Sequence, residues 1–144
     1  MAINIIQRKN HINLGDIPKK KDAEGRVICL NCDKILSGRQ IKYCGKECAD
    51  DWMCKHSHQW MRARLIKRVD WICNHCHKKF DSSQLILDHI TPIALGGEEF
   101  DEKNMQILCV SCNKIKTKQD FGHIAEAKRS NKLEFIGQKK VGDF

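Results

Sequence analysis

Short apolar runs set between polar, cysteine-rich segments are the main hydrophobic pattern of this chain. Residues 85–90 form one such run, which is short and apolar enough for a half-buried β-strand. Residues 105–108 form a second run and predict another strand. Pro92 ends the first strand, and a loop containing Gly96 and Gly97 leads toward the second. The pattern therefore predicts two strands joined by a flexible loop.

Helices are predicted on both sides of this strand pair. Residues 50–70 read as one helix, with Asp50 and Asp51 near its N-terminus, where acidic side chains favour the helix dipole. Its hydrophobic stripe is imperfect but offers packing residues. These residues are Trp52, Trp60, Ile66 and Val69. Another helix is predicted from Asn113 and again over residues 121–132, followed by a loose tail over residues 134–144.

Composition limits how large a core this chain can build. At 144 residues, with 6% aromatic and 31% charged residues, it holds one modest domain or two small ones with limited apolar burial. A bound metal would then supply stability that a larger core provides elsewhere. No apolar stretch near the N-terminus is long enough for a membrane span, and no signal-peptide pattern is expected there.

The cysteines fall into two groups of four with metal-ligand spacing. Each C-x-x-C pair presents two sulfurs from one tight turn, and two such turns supply the tetrahedral sulfur set that structural zinc prefers. The groups are Cys73, Cys76, Cys109 and Cys112, and Cys29, Cys32, Cys44 and Cys48. Disulfides are the competing explanation. The odd total of nine cysteines and a lysine-rich composition normal for a reducing compartment favour zinc, so two structural Zn²⁺ ions are predicted.

The side chains between the two cysteine pairs of the 73–112 group have a different chemistry. Asp88 and His89 are adjacent at the end of the predicted strand, so their side chains point to opposite faces and serve different purposes. A carboxylate is a hard ligand suited to Mg²⁺, whereas a neutral imidazole can take a proton from water. Each residue alone also fits a structural role in a turn, and so do Asn104 and Asn113. Their order inside one cysteine-closed segment is what favours a hydrolytic site.

Residues 73–117 resemble an HNH endonuclease, a member of the ββα-metal superfamily, in the variant with a four-cysteine zinc. The shared pattern runs from C-x-x-C through Asp88-His89-Ile90-x-Pro92, two glycines and Asn104 to C-x-x-C-Asn113-x-x-Lys116-Thr117. The resemblance covers about a third of the chain. It implies a small, zinc-stabilised α+β fold with a ββα core.

The resemblance also implies roles for the site residues. His89 corresponds to the general base that activates water, and Asn104 to the residue that orients the loop and the imidazole. Asp88 and Asn113 correspond to the protein ligands of one catalytic divalent ion, while Lys116 lies where the family has a positive contact near the phosphates. The last motif position is usually His. Asn113 makes this an HNN member, and its amide oxygen favours Mg²⁺ or Mn²⁺ over softer metals.

The first cysteine set resembles the small treble-clef or MYM-like zinc fingers that precede some nuclease modules. A small hairpin is expected between Cys32 and Cys44, and the last two sulfurs are expected from the first turn of a helix. This finger could dock on the nuclease core or contact DNA, and the sequence favours neither role. Cys54, His56 and His58 are spaced so that a helix separates them, and a free cysteine with two packing or surface histidines is expected.

Charge adds support for a nucleic-acid partner, but less than it first suggests. The formal charge is +8, and two four-thiolate zinc sites would reduce it to about +4. Its distribution is more informative, because acidic residues gather over residues 98–102 while basic residues flank the predicted core. The basic residues expected to contact nucleic acid are Arg62, Arg64, Lys67, Arg68, Lys114 and Lys116.

The sequence thus predicts five segments. These are a basic arm (1–26), a zinc finger (27–53), a basic connecting helix (54–72), an HNH core (73–122), and a C-terminal helix and tail (123–144). The predicted function is metal-dependent cleavage of DNA, expected to be double-stranded, by nicking or double-strand cutting. A cytoplasmic, phage or mobile-element setting is expected by analogy, with a protein partner compatible with it. The alternatives are an inactive zinc-stabilised nucleic-acid-binding module and a partner-dependent subunit.

Overall fold

The computed structural model describes residues 14–139, and the chain divides into two compact units, residues 1–67 and 68–144. Within the described residues there are three α-helices and two small antiparallel sheets, so the predicted α+β class is confirmed. The first half of the predicted basic arm and the last five residues of the predicted tail lie outside the described part. Of the described residues, none belongs to a helix long and apolar enough to cross a membrane.

The first unit contains a short hairpin and two helices. Strand β1 (Lys20–Lys21) pairs antiparallel with β2 (Val27–Ile28), and Asp22 closes the turn by accepting hydrogen bonds from the backbone N–H groups of Glu24 and Arg26. This hairpin precedes the first cysteine pair, whereas the sequence predicted one between Cys32 and Cys44. Within that gap, Ile35 forms only an isolated bridge with Ile28.

The core of the first unit is a small cluster under helix α1 (Lys46–His56). Ile17, Trp52 and Met53 are buried, and Leu30 and Tyr43 pack against them. Met61, Leu65 and Ile66 are also buried in this unit, but the core remains small compared with an ordinary domain core. The unit therefore depends on additional cross-links, which agrees with the cysteine spacing.

The prediction of one helix over residues 50–70 is wrong. Helix α1 ends at His56, Ser57 has an extended backbone (φ −146°, ψ 117°), and helix α2 (His58–Arg68) begins directly after it. The Ser57 carbonyl accepts a hydrogen bond from the Met61 N–H at 3.0 Å, which is the first helical bond of α2. Serine favours this N-cap position over a helix interior because its hydroxyl competes with the backbone for hydrogen bonds.

The second unit has the order strand, strand, helix. Strand β3 (Leu85–His89) pairs antiparallel with β4 (Met105–Cys109) over five residue pairs, and helix α3 (Val110–Lys139) follows β4 without a break. Leu85, Ile107 and Leu108 are almost completely buried and form the centre of this unit. Both predicted strands are confirmed.

Helix α3 differs from its prediction at both ends. It begins at Val110 instead of Asn113, and it continues to Lys139 although residues 134–144 were predicted to be a loose tail. The early start means that the second cysteine pair, Cys109 and Cys112, spans the end of β4 and the first turn of the helix. The cysteine pair and the residues after it therefore share one rigid element.

Candidate functional site

The four cysteines of the first unit lie close enough together to hold one metal ion. Cys29 and Cys32 lie on the turn after β2, Cys44 lies just before α1, and Cys48 lies in its first turn; their sulfur atoms are all within 4.8 Å of one another. The Cys44 Sγ atom is 3.6 Å from that of Cys32 and 3.4 Å from that of Cys48. These distances exceed a disulfide bond of about 2.05 Å. The predicted grouping is confirmed.

The four cysteines of the second unit form an equivalent group. Cys73 and Cys76 lie on one turn, Cys109 ends β4 and Cys112 belongs to the first turn of α3, with all four sulfurs again within 4.8 Å. Asn74 fastens the turn to β4, because its N–H donates to the Ile107 carbonyl and its Oδ1 accepts from the Ile107 N–H. The group thus closes the whole segment from residue 73 to residue 112.

The thiol pKa values of the second group fit a metal-ligand set. Burial raises the pKa of Cys73, but hydrogen bonds from the N–H groups of Cys76, Cys109 and His75 outweigh it and lower the pKa to about 6. Side-chain hydrogen bonding with Cys109, together with burial, raises the pKa of Cys112 to about 12. Four thiolates this close repel one another, so their joint ionisation requires a central cation. None of the nine cysteines, all of which lie in the described part of the chain, forms a disulfide.

Strand β3 delivers Asp88 and His89 to the end of the sheet, opposite Gln106 and Met105 of β4. The His89 imidazole is half-buried, and its Nε2 atom lies 3.0 Å from the backbone carbonyl oxygen of Glu99. A carbonyl only accepts hydrogen bonds, so this contact requires a proton on Nε2. In the neutral ring, the basic lone pair is then on Nδ1.

Asn104 fastens the loop that carries Glu99. Its Nδ2 atom donates to the carbonyl oxygens of Thr91 and Glu98, both at 3.0 Å, and its Oδ1 accepts from the Thr91 N–H at 2.8 Å. Its own backbone carbonyl accepts from the Ile90 N–H at 2.7 Å. One side chain therefore ties the two ends of the loop together.

Two adjacent glycines make this closure sterically possible, for different reasons. Gly96 has φ +88°, a left-handed conformation that favours glycine. Gly97 lies against the loop closure itself: a Cβ atom there would overlap the Thr91 carbonyl oxygen and come within 2.7 Å of Asn104 Nδ2. The Gly-Gly pair therefore determines how tightly the loop closes over His89.

Asp88 has a cationic neighbour on α3. Its Oδ2 atom accepts from Gln106 Nε2 at 3.0 Å and is 3.0 Å from the Lys116 ammonium, which also contacts Asp120 at 2.5 Å. Lys116 is only 16% exposed. Burial lowers its pKa, but hydrogen bonds with Asp120 and Asp88 outweigh that effect and raise the pKa, so the ammonium group stays charged.

Asn113 shares a helix face with this ion-pair network. It precedes Lys116 by three residues and Asp120 by seven, so all three lie on one side of α3. That side faces Asp88, because Lys116 reaches it. The structure therefore brings Lys116 to Asp88, which is followed by His89 on β3, and Asn113 lies one helical turn before Lys116 on α3.

Some of the predicted basic residues form ion pairs, and others are simply exposed or half-buried. On α2, Arg64 pairs with Asp51 at 2.7 Å, and Arg68 pairs with Glu102 near the loop. Lys67 is exposed and Arg62 is half-buried on the same helix. Lys114 on α3 is exposed next to Asn113. In the first unit, His56 stacks on Trp52 with ring centroids 3.9 Å apart, Cys54 is buried and His58 is exposed.

Sequence reasoning missed Gln106 and Asp120, which both contact the predicted site. Asp120 follows Lys116 by four residues, a spacing at which opposite charges pair on a helix, so a signal for it was present. Gln106 faces Asp88 across the strand pair, and its role depends on a register that the two apolar runs do not specify alone.

Comparison with known protein families gives one match, which lies within the second unit. Residues 73–119 match the family model described as HNH endonuclease, about a third of the chain. Comparison with curated proteins gives no match. The matched segment contains the second cysteine group, Asp88, His89, Asn104, Asn113 and Lys116, and it indicates a nuclease-type function acting on nucleic acid.

Proposed function

We propose that this protein is a metal-dependent endonuclease that hydrolyses phosphodiester bonds in DNA. In this proposal His89 is the general base, Asn104 positions it, and Asp88 and Asn113 hold one Mg²⁺ or Mn²⁺ ion. The two cysteine groups each hold a structural Zn²⁺ ion. The substrate is double-stranded DNA, cut on one strand or both.

The observation that carries the proposal is the hydrogen bond from His89 Nε2 to the Glu99 carbonyl. It fixes the tautomer in which Nδ1 can accept a proton, and Asn104 holds the loop that supplies the carbonyl. A structural histidine can make the same hydrogen bond, but it has no need to keep Nδ1 as the acceptor. A base that must present one particular nitrogen to a water molecule does have this need.

The donor set at the other side of the site fits a hard divalent ion. Asp88 offers a carboxylate and Asn113 an amide oxygen, and hard cations prefer both over nitrogen or sulfur. The Lys116 ammonium 3.0 Å from Asp88 Oδ2 competes with the ion for this carboxylate. Asp88 and Asn113 would therefore hold the ion, with Lys116 and Asp120 next to it.

The residues of this chain have separate tasks in hydrolysis. His89 takes the proton from the attacking water, a step that contributes on the order of two to four decades of rate. Lys116 stabilises negative charge that develops on the phosphate. A bound divalent ion would add Lewis-acid stabilisation of the phosphate and of the leaving 3′ oxygen.

The zinc ions have a structural role in this proposal. The second cysteine group connects the turn before β3 with the start of α3, so it fixes the helix that carries Asn113 and Lys116 relative to the strand that carries Asp88. Tetrahedral sites filled by four thiolates leave no position open for substrate. They stabilise the fold and take no part in the chemistry.

The testing experiment is cleavage of supercoiled plasmid by the full chain with added Mg²⁺ or Mn²⁺. Wild-type protein is expected to convert the plasmid to nicked or linear forms, and His89→Ala is expected to lose at least about 100-fold in rate. His58→Ala, which removes an exposed histidine of the first unit, is the matched control and should cut like wild type. Equal cutting by His89→Ala would disprove the assignment of the base.

A non-catalytic binding module is the second candidate. It is favoured by the contacts of Asp88, whose Oδ2 atom is already engaged by Gln106 and Lys116. The same plasmid assay decides between the two functions, when it is combined with a gel-shift measurement. Absence of cutting with either ion, together with retained DNA binding, would favour the binding module.

A further inference from the structure

Helix α3 carries an open groove that begins at the proposed metal ligand. A cavity of about 460 Å³ is lined by Asn113, Lys114, Thr117, Lys118 and Phe121. A second cavity of about 520 Å³ also includes Lys118 and reaches Ser130, but its lining residues lie on another side of the helix. We call the first cavity the α3 groove.

Phe121 is the unusual residue of this groove. It is 68% exposed, the largest exposure among the large exposed apolar side chains of the described residues. Lys118 lies three residues before it and Lys114 seven residues before it, so both lysines share its side of the helix. An exposed aromatic ring next to two ammonium groups leaves one ring face open to a ligand and places positive charge on its N-terminal side.

We propose that the α3 groove binds the DNA strand next to the bond that is cut, and that Phe121 stacks on an unpaired base of that strand. Lys114 and Lys118, both N-terminal to the ring on the helix, contact phosphates on one side of this base. The inference rests on the proposed function and adds a substrate class to it. The favoured substrate has at least one unstacked nucleotide beside the cleavage position, as at a single-stranded stretch, a bulge or a nick.

Charge and the exposed ring together favour a nucleic-acid strand as the occupant. The groove is lined by Lys114 and Lys118 and by no acidic residue. From Asn113 to Phe121 the helix rises about 12 Å, the length of about three base steps at 3.4 Å each. An acidic peptide would be repelled by neither lysine, but it would not require a stacking ring.

Phe121 is the reason for specifying an unpaired base. Bases inside a duplex stack on their neighbours on both faces, so an aromatic side chain reaches a base face only where the stack is interrupted. Stacking on an aromatic side chain tolerates any base because every base has a π-face. The subsite therefore selects the local structure of DNA and leaves sequence open.

Binding is measured with the zinc-loaded full chain and no added Mg²⁺ or Mn²⁺. The probes are a single-stranded oligodeoxynucleotide with 2-aminopurine in place of one base, and the matching perfect duplex. Phe121→Ala is expected to weaken binding of the single strand about 5- to 10-fold and to reduce 2-aminopurine quenching. Phe121→Trp should retain both. Ile115→Ala, which removes another exposed apolar side chain of α3 outside the groove, should bind like wild type.

Other outcomes of the binding experiment would overturn the inference. Equal affinity of Phe121→Ala, Ile115→Ala and wild type for the single strand would remove the stacking role. Equal weakening of single strand and duplex by Phe121→Ala would remove the selection for an unpaired base. Zinc content and far-UV circular dichroism verify that each variant is folded.

Cleavage separates this inference from the proposed function. If the wild-type protein cuts DNA but Phe121→Ala binds both probes like wild type, the subsite is wrong and the nuclease assignment remains. Absence of cutting on every substrate, with the Phe121 effect on binding present, would overturn the nuclease assignment and leave the subsite. If both are correct, a duplex with an unpaired base is cut faster than the perfect duplex, and Phe121→Ala reduces that preference about 5- to 10-fold.

Discussion

Replacing Asn104 tests whether the closed loop is needed for the base to act. The side chain makes three hydrogen bonds, two as donor to the Thr91 and Glu98 carbonyls and one as acceptor from the Thr91 N–H. Each contributes about 0.5–1.5 kcal/mol, so Asn104→Ala should favour the open loop by about 3 kcal/mol. If closure is required in the transition state, kcat falls about 100-fold.

Asn104→Asp is the sharper variant because it keeps the size of the side chain. It retains the acceptor for Thr91 but presents an oxygen instead of an N–H to two carbonyl oxygens that lie 3.0 Å from Nδ2. Repulsion then adds to the loss of two hydrogen bonds, and kcat should fall at least as far as in Asn104→Ala. Asn131→Ala, which replaces an exposed residue of α3, is the control and should leave kcat unchanged.

The assay is single-turnover cleavage at saturating metal, combined with hydrogen exchange of the Thr91 amide. Both variants should exchange this amide faster, and nitrogen chemical shifts should show His89 losing its fixed tautomer. A rate within about 3-fold of wild type, in a protein whose Thr91 amide exchanges faster, would refute the reasoning. The loop would then open without affecting the base.

Three further predictions concern the same unit. Gly97→Ala should reduce kcat at least as much as Asn104→Ala because the added Cβ overlaps the Thr91 carbonyl, and it should speed exchange of the Thr91 amide. Lys116→Met should tighten Mn²⁺ binding about 5-fold by removing a competitor for Asp88, whereas Asp120→Asn should weaken Mn²⁺ binding. Calorimetry in which both variants change the Mn²⁺ affinity in the same direction would contradict this. Cys73→Ser should leave zinc at the first cysteine group only, measured by atomic absorption, and lower the melting temperature of the second unit.

The strands and cysteine groups could be predicted from the sequence because their signals are local. Each strand is a short apolar run with clear ends, and C-x-x-C spacing presents two sulfurs from one turn in any context. The helix break at Ser57 was missed because a serine is weakly unfavourable in a helix interior and strongly favourable at a cap. Residue type alone does not decide between a continuous helix and a helix cap at this position.

The contacts that determine the chemistry could not be predicted in the same way. The partner of His89 is a backbone carbonyl, and since every residue carries one, no residue type marks Glu99 as the acceptor. The pairing of Gln106 with Asp88 depends on strand register, and a shift by one residue would turn Gln106 to the other face. Both contacts depend on how the loop and the strands are placed in the folded unit, and the motif does not specify this placement.

The uninterrupted course of α3 from the cysteine group into the groove has a consequence for insertions and deletions. One residue inserted after Asp120 would rotate Phe121 and everything beyond it by about 100° around the helix axis, away from Asn113. Seven inserted residues would restore the angle to within about 20° and move the ring about 10 Å further along the axis. Helical phase, more than chain length, thus governs which nucleotide meets the ring.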